Sequence, residues 1–473
     1  MKTTLPLRLF SANRVACLLL LPFFAVIAIS LSFGGNGPGS DQAPVIGAQK
    51  DAQAHVDESG RYNPYADNNG DQMPPGYTGP RYRLNHHYPT TPQKSPANPP
   101  WQKALQGKPI SKDNAIAYVL ALKNSIAKDM SVLVNDYKKW DPFKTNWYDQ
   151  PWIAAKVTGP NNSLNWPGRE PIQGTYPGPG FDSSTYPDLQ KPMQDYVAVY
   201  YNPVAAYTLH EIWQKPNPYV PQPKNAQFQE GAIIVKLALT TASGDDWPVM
   251  KGSTKSQVFV PPFDRKLPQV PKFTDAYVLQ FDLIVKDSKT APKTGWVFAT
   301  LVYDKDAPGK TTWDKLVPLG AMWGNDPQVN SAKTPDAPLA ETVVNPAAPA
   351  YSKVTLGWGG RLSGPNDAAA GPESNGMFPR YSSCMSCHGA AETPAGNLVP
   401  LPNSPGSPQW MNWFQDRAGN VPQDPGRIAL DYDMVTTQAL TNQQALTGHP
   451  DAMKHFQNRM LQLRKRGHTA APK

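Results

Sequence analysis

Proline limits what this chain can fold into more than any other feature of it. The 473 residues include 53 prolines, and each fixes φ near about −65° and removes a backbone donor. Long regular elements are therefore confined to the stretches between prolines. The clearest of these is KDNAIAYVLALKNSIAKDMSVLVNDYKK at 112–139. Ile116, Val119, Leu120, Ile126, Met130, Leu133, Val134 and Tyr137 recur there at three- and four-residue steps. That period predicts one amphipathic helix within 111–149, docked on a core and capped by Ser111.

From about 150 to 356 the period changes to two. In YVLQFDLIVK (277–286), Tyr277, Leu279, Phe281, Leu283 and Val285 face one way, and Gln280, Asp282 and Lys286 face the other. YVAVYY (196–201), GAIIVKLALT (231–240) and WVFATLVY (296–303) behave alike. Short strands between Pro/Gly-rich turns predict an antiparallel, sandwich-like or barrel-like β region over 150–356. No helical segments alternate with them, which argues against a doubly wound α/β fold. Downstream, helices are expected around 409–416, 433–446 and 450–465, so the chain as a whole reads as α+β.

The ends carry the charge. Lys2, Arg8 and Arg14 stand in residues 1–33, and Lys454, Arg459, Arg464, Lys465, Arg466 and Lys473 in the tail, both segments without an acid. With these set aside, the 45 basic and 37 acidic residues come almost into balance. Basic charge at the ends rather than interleaved with aromatics on a folded domain predicts a solvated basic tail and no nucleic-acid partner. Residues 15–33 are uncharged and follow the three basic residues, which reads as a signal peptide or an inner-membrane anchor. Under either reading the basic residues stay cytoplasmic and the rest is exported. Residues 34–110 are rich in Gly, Pro, Asn and Asp and read as a linker and extended segment.

Three cysteines are present. Cys17 lies in the apolar leader, and Cys384 and Cys387 lie in YSSCMSCHGAAE (381–392). With His388 they spell C-x-x-C-H, the spacing onto which a haem is attached through two thioethers while the following histidine takes the iron. Two rivals use part of this pattern. A thioredoxin-like dithiol expects a βαβ setting and has no need of His388. A zinc site would recruit His449 and His455 across a gap far longer than finger spacing. For the sixth iron position Met411, in PQWMNWFQD beside Trp410, Trp413 and Phe414, is the leading candidate and Met434, in LDYDMV, the second. Met377, His449 and His455 are further alternatives. Arg361 and Arg380 are candidates to pair with a haem propionate. GWGGR (357–361) reads as a glycine turn near the haem edge, and MWGNDP (322–327) as a loop at a junction. His210 and Glu211 read as positions on a helix after Pro203, and no active site is built on them.

At YSSCMSCHGAAE the chain resembles the c-type cytochromes. More narrowly, it is similar to large exported bacterial proteins labelled "cytochrome c family protein". The stretches that carry this are FQEGAIIVKLALTT, GWVFATLVYD, WDKLVPLGAMWGNDP, LGWGGRLSGPND and the motif itself. The resemblance implies one covalent haem c, thioethers at Cys384 and Cys387, proximal ligation by His388, and a large haem-free region. The organisation expected is then a leader (1–33), a linker (34–110), an amphipathic helix (111–149), a β-rich domain (150–356) and a mostly helical and irregular haem c segment with a basic tail (357–473). The function expected is single-electron transfer in the periplasm or at the envelope, with transient redox protein partners. Two alternatives stand beside it: a haem peroxidase or oxidase with an open sixth position, and a ligand-binding β domain with a haem reporter.

Overall fold

The structure, a computed structural model, describes residues 75–80, 82–153, 169–214, 220–262, 270–367, 381–397 and 404–447. The expected leader, most of the expected linker, the basic tail with the helix expected at 450–465, and Met377, Arg380, His449 and His455 lie outside these residues.

The fold is α+β around one large antiparallel sheet. Its strands are β1 (Tyr176–Phe181), β2 (Met193–Tyr201), β3 (Ile233–Thr240), β4 (Lys255–Val260), β5 (Lys272–Lys286), β6 (Trp296–Tyr303), β7 (Leu316–Met322) and β8 (Thr342–Val344). They run in the order β1-β2-β3-β5-β6-β7-β8, with β4 paired to the first half of β5. The expected sandwich takes another form. All eight strands belong to one sheet, and helical and irregular segments cover both of its faces.

Period-two alternation assigns each residue to a face. Tyr200, Val235, Leu283, Ala299 and Ala321 lie in one cross-strand row. That face buries Leu237, Phe281 and Leu301 against Tyr118, Val119, Leu122, Met130 and Leu133. These last five come from α2 (Ala115–Ser125) and α3 (Ala127–Asn135), which follow the short α1 (Pro100–Ala104). The single helix expected over 112–139 is therefore two. At the break the Ser125 hydroxyl donates to the Leu122 carbonyl (2.7 Å), and Ile126 N–H bonds Lys123 O instead of Leu122 O. A hydroxyl bonding back onto its own helix competes with the backbone ladder and bends it. Leu120, expected on the apolar face, is exposed, and Tyr118 and Leu122 take the core positions. Ser111 does not cap the helix; its N–H bonds the side chain of Asn114, the residue that precedes α2. Lys123 is buried, donates to the carbonyls of Trp313 (2.7 Å) and Leu316 (2.8 Å), and so ties α2 to the start of β7.

The second face meets α5 (Pro203–Trp213), which follows the short α4 (Pro142–Thr145), and the C-terminal segment. Asn202 caps α5 by accepting from Ala205 N–H, and Pro203 sits at its first position, where a missing N–H costs nothing. The C-terminal segment contains α6 (Cys384–His388), α7 (Pro408–Met411) and α8 (Met434–Leu446). Between them β9 (Glu392–Thr393) and β10 (Ile428–Ala429) form a small two-stranded sheet. Among the described residues no helix is long and apolar enough to cross a membrane.

Candidate functional site

The motif residues make up all of α6. Ser383 and Ser386 cap each other: the Ser383 hydroxyl accepts from Ser386 N–H (3.1 Å) and the Ser386 hydroxyl accepts from Ser383 N–H (2.8 Å). This reciprocal box satisfies donors that a short turn leaves open. Ser382, Ser383 and Ser386 are fully buried, so the motif is packed into the fold and is no surface loop. GWGGR holds it from behind. Trp358 N–H donates to Ser382 O (2.8 Å) and Cys384 N–H to Leu362 O (2.9 Å). A Cβ on Gly357 would strike the Ser382 carbonyl, and Gly359 and Gly360 adopt φ of +64° and +79°. The glycines serve this close backbone approach.

In front of α6 lies a cleft of about 240 Å³, walled by the second sheet face, the β1 edge and α8. Register places Tyr201, Ile234, Ile284 and Phe298 in one row. The next row holds Val199, Lys236, Asp282 and Thr300. Cys384, Cys387, His388 and Met434 all line the same cleft. The upper row is apolar. The lower row carries a buried charge network: Lys236 Nζ pairs with Asp282 (2.9 Å) and with Asp367 (3.0 Å). Asp282 also accepts from Thr300 (2.8 Å) and Gln280 (2.9 Å). Asp367 accepts from Gly364 N–H (2.6 Å) and lies 3.7 Å from Cys384 Sγ. Burial lowers the proton affinity of Lys236, but Asp282 and Asp367 together raise it well above the usual lysine range. Burial likewise opposes the charge on Asp367, and Lys236, the Gly364 N–H and His388 together more than offset it, leaving this carboxyl below its usual range. Ser363 Oγ and Asn366 Oδ1 line the cleft without a hydrogen-bond partner among the described residues.

His388 is held in one orientation. Its Nδ1 lies 2.8 Å from the Tyr432 carbonyl, which requires a proton on Nδ1 and leaves Nε2 as the free lone pair. Its ring meets Phe298 edge-on at 4.9 Å. Burial pushes its affinity for a second proton down to about 4, so the imidazole is neutral. The acceptor carbonyl is itself set by an unusual backbone: Asp431 and Tyr432 both have positive φ, 48° and 68°. Asp431 is pinned to the sheet. Its fully buried carboxylate accepts from Phe228 N–H, Lys286 Nζ and Trp296 Nε1, each at 2.7 Å. Asp433 next to it caps α8 by accepting from Val435 and Thr436 N–H and from Tyr201 OH.

Both motif cysteines are free. Burial pushes the Cys387 thiol up to about 12, and burial together with Asp367 pushes Cys384 well above the usual thiol range. A redox dithiol needs the opposite shift and a βαβ setting, whereas every pairing in this sheet is antiparallel. Among the described residues no group of three or more His, Cys, Asp and Glu is placed to hold a metal ion.

The remaining sequence candidates divide. Met434 opens α8 inside the cleft. Met411 packs beside Trp358, Trp410 and Phe414 in a separate aromatic cluster and does not line the cleft. Arg361 is fully buried and engaged. It donates to the carbonyls of Asn325, Trp358, Asp326 and Val329, and its guanidinium lies over Trp358 (4.9 Å) and Phe414 (4.7 Å). With its donors spent on the backbone, it has no fork left for a propionate. The MWGNDP loop joins the sheet to the C-terminal segment through Asn325, which bonds Asp416 (2.7 Å) and Gln415 O (2.9 Å). His210 lies on α5, as expected, and its Nδ1 meets Gln214 at 2.9 Å. Sequence reasoning missed Lys236, Asp282 and Asp367. The signal for the first two was a lone charge inside an apolar strand, once in IIVKLALT and once in LQFDLIV. No family model, curated protein or solved structure matches the chain.

Proposed function

We propose that this protein is an exported monohaem c-type cytochrome that passes single electrons at the bacterial envelope. The observation that carries the reading is the setting of the C-x-x-C-H turn. Two uncharged thiols and a neutral imidazole face one cleft with an apolar wall, and the imidazole keeps Nε2 free because Nδ1 is spent on Tyr432 O. These residues fit a covalently attached haem. Cys384 and Cys387 would carry the thioethers and His388 the iron, with its outer nitrogen oriented as metal-bound histidines usually are. Bound there, the haem would supply a one-electron iron couple. The chain's own part is to orient His388 through the Asp431–Tyr432 turn, to exclude water with Ile234, Ile284, Trp296 and Phe298, and to offer Met434 from α8 as the sixth ligand. Met434 replaces Met411 as the preferred sixth ligand because it alone of the two faces the cleft. Redox partners would dock transiently over a small area.

A second reading rests on the charged row. Lys236, Asp282 and Asp367 place acid–base groups in the same cleft, which a haem peroxidase or oxidase needs and an electron carrier does not. Absorption spectra separate the two. The exported protein is recorded oxidised and reduced, with and without carbon monoxide, beside a Cys384→Ser/Cys387→Ser variant. Sharp reduced bands that ignore carbon monoxide and vanish in the variant are the result expected of the carrier. Bands that move with carbon monoxide favour the enzyme. Absence of haem from cells proven to mature cytochromes removes both.

A further inference from the structure

A haem brings two carboxylates with it, on the edge of the ring opposite the two vinyl groups. In this cleft the vinyl edge belongs to Cys384 and Cys387. That end is acidic: Asp367 lies 3.7 Å from Cys384 Sγ and shares Lys236 with Asp282. Further carboxylates are repelled there. Arg361 has spent its donors on backbone carbonyls. The other end of the cleft is formed by the β1 edge and α8. Sheet order sets it apart. β2 and β3 separate β1 from β5 and β6, the strands that carry Asp282 and the Phe298 ring beside His388.

Two polar side chains at that end line the cleft, are half-buried, and make no hydrogen bond among the described residues. Tyr176 opens β1 opposite Val197 of β2, and so projects from the same face of the sheet as Lys236. Burial pushes its phenol up to about 12, so it stays protonated and remains a donor. Gln438 stands one turn beyond Met434, about 6 Å along the axis of α8. The other polar groups on that helix face are spoken for. Thr441 Oγ1 donates to Thr437 O (2.8 Å), Asn442 Nδ2 donates to Trp152 O (2.6 Å), and Thr437 Oγ1 is enclosed. We infer that Tyr176 and Gln438 hold the haem carboxylates, one from the sheet edge and one from α8. The inference rests on the reading of C-x-x-C-H as a haem site and adds how the ring lies, with thioethers at α6 and carboxylates between β1 and α8. The spacing of Met434 and Gln438 suits a helix that offers one residue to the iron and the next turn to the edge of the ring. Neutral donors stabilise a carboxylate without cancelling its charge, so this end adds to the acidic row in favouring oxidised iron.

The test uses the full exported protein with its haem attached, followed by potentiometric titration and by infrared difference spectra between the reduced and oxidised forms, which report carboxylate stretching. Tyr176→Phe keeps the ring and removes the donor. It should shift the equilibrium about two- to fivefold toward the oxidised form and move one carboxylate band. Gln438→Glu should shift it further the same way, since it sets one carboxylate against another, and Gln438→Lys should shift it the opposite way. Gln444→Glu, on the same helix but away from the cleft, should have less than half the effect of Gln438→Glu. Melting temperatures and haem content near wild type show that the variants fold; should Tyr176→Phe fail to mature, the two Gln438 variants decide. If haem is attached but potential and carboxylate bands are unchanged in Tyr176→Phe and in Gln438→Glu, the inference is overturned and the haem reading stands. A wild-type protein without haem, from cells proven to mature cytochromes, overturns both.

Discussion

Asp431→Ala should be among the most damaging single changes to the site, although Asp431 lies outside the motif and outside the cleft. Its side chain is fully buried and Lys286 retains only 11% exposure. Truncation leaves the Phe228 amide and the Trp296 indole N–H without acceptors, at about 1–3 kcal/mol each. It also leaves the Lys286 ammonium unpaired, which costs about 3–5 kcal/mol in a buried pair. Alanine at φ +48° adds about 1 kcal/mol that asparagine does not, because a short polar side chain tolerates the left-handed region. Relaxation and partial access of Lys286 to water offset part of this, so the expected net loss is about 5 kcal/mol. Asp431→Asn keeps shape, backbone preference and one acceptor oxygen, and should lose about 2 kcal/mol. Against a total stability of about 5–15 kcal/mol, the first change brings the fold near its limit and the second does not.

Denaturant titration of both variants, read by tryptophan fluorescence, measures these losses directly, and nitrogen NMR of His388 reads the consequence at the site. If the left-handed pair at Asp431 and Tyr432 sets the Tyr432 carbonyl, Asp431→Ala should mix the two tautomers of His388 while Asp431→Asn keeps the proton on Nδ1. An Asp431→Ala loss below about 1 kcal/mol, or equal losses for the two variants, would refute the assigned role.

Three further outcomes follow from the same geometry. Gly357→Ala should cost about 1–3 kcal/mol by driving a methyl into the Ser382 carbonyl, whereas Gly360→Ala, with open space around it but φ +79°, should cost about 1 kcal/mol; chemical denaturation orders the two. Burial pushes Glu392 up to about 7 from 4.5, so the folded chain holds an extra proton between those values and stability falls as pH rises through them. Glu392→Gln should flatten that slope and stabilise the protein at pH 8 by about 2 kcal/mol after screening by solvent and Arg427 is allowed for, as thermal melts across pH would report. With haem bound as proposed, Met434→Ala should open the iron to carbon monoxide, and Met411→Ala should leave the spectra unchanged; the reverse pattern would return the sixth position to Met411.

The strands were legible because their period is two and they are bounded by proline and glycine: WVFATLVY at 296–303 coincides with β6. What period alone could not give is what covers each face. Gln280, Asp282 and Lys236 alternate with apolar residues as solvent-facing residues would, yet Gln280 and Asp282 are buried and the Lys236 side chain keeps only 24% exposure. The covering comes from residues more than eighty positions away in sequence, Asn366 and Asp367 among them. The helix at 112–139 broke because a hydroxyl at Ser125 competes with the ladder, a local effect that hydrophobic spacing does not register. Met411 was favoured for its aromatic neighbours, which do pack around it, but they form a cluster of their own behind the motif.

The charged row also bears on why the sheet carries a site at all. Replacing a buried ion cluster by apolar residues of similar volume is often neutral or stabilising, and the row above it, from Tyr201 to Phe298, shows that these strands accommodate apolar residues at equivalent positions. Stability therefore does not account for Lys236, Asp282 and Asp367, and their placement agrees: Asp367 reaches Cys384 on one side and Lys236 on the other. The cluster links the sheet to the motif through groups whose charge acts across the cleft. With one lysine against two carboxylates, it adds negative potential beside the turn. A cation forming in that cleft is favoured by it, and an electron arriving there is opposed. An apolar row would pack as well and would leave that balance unset.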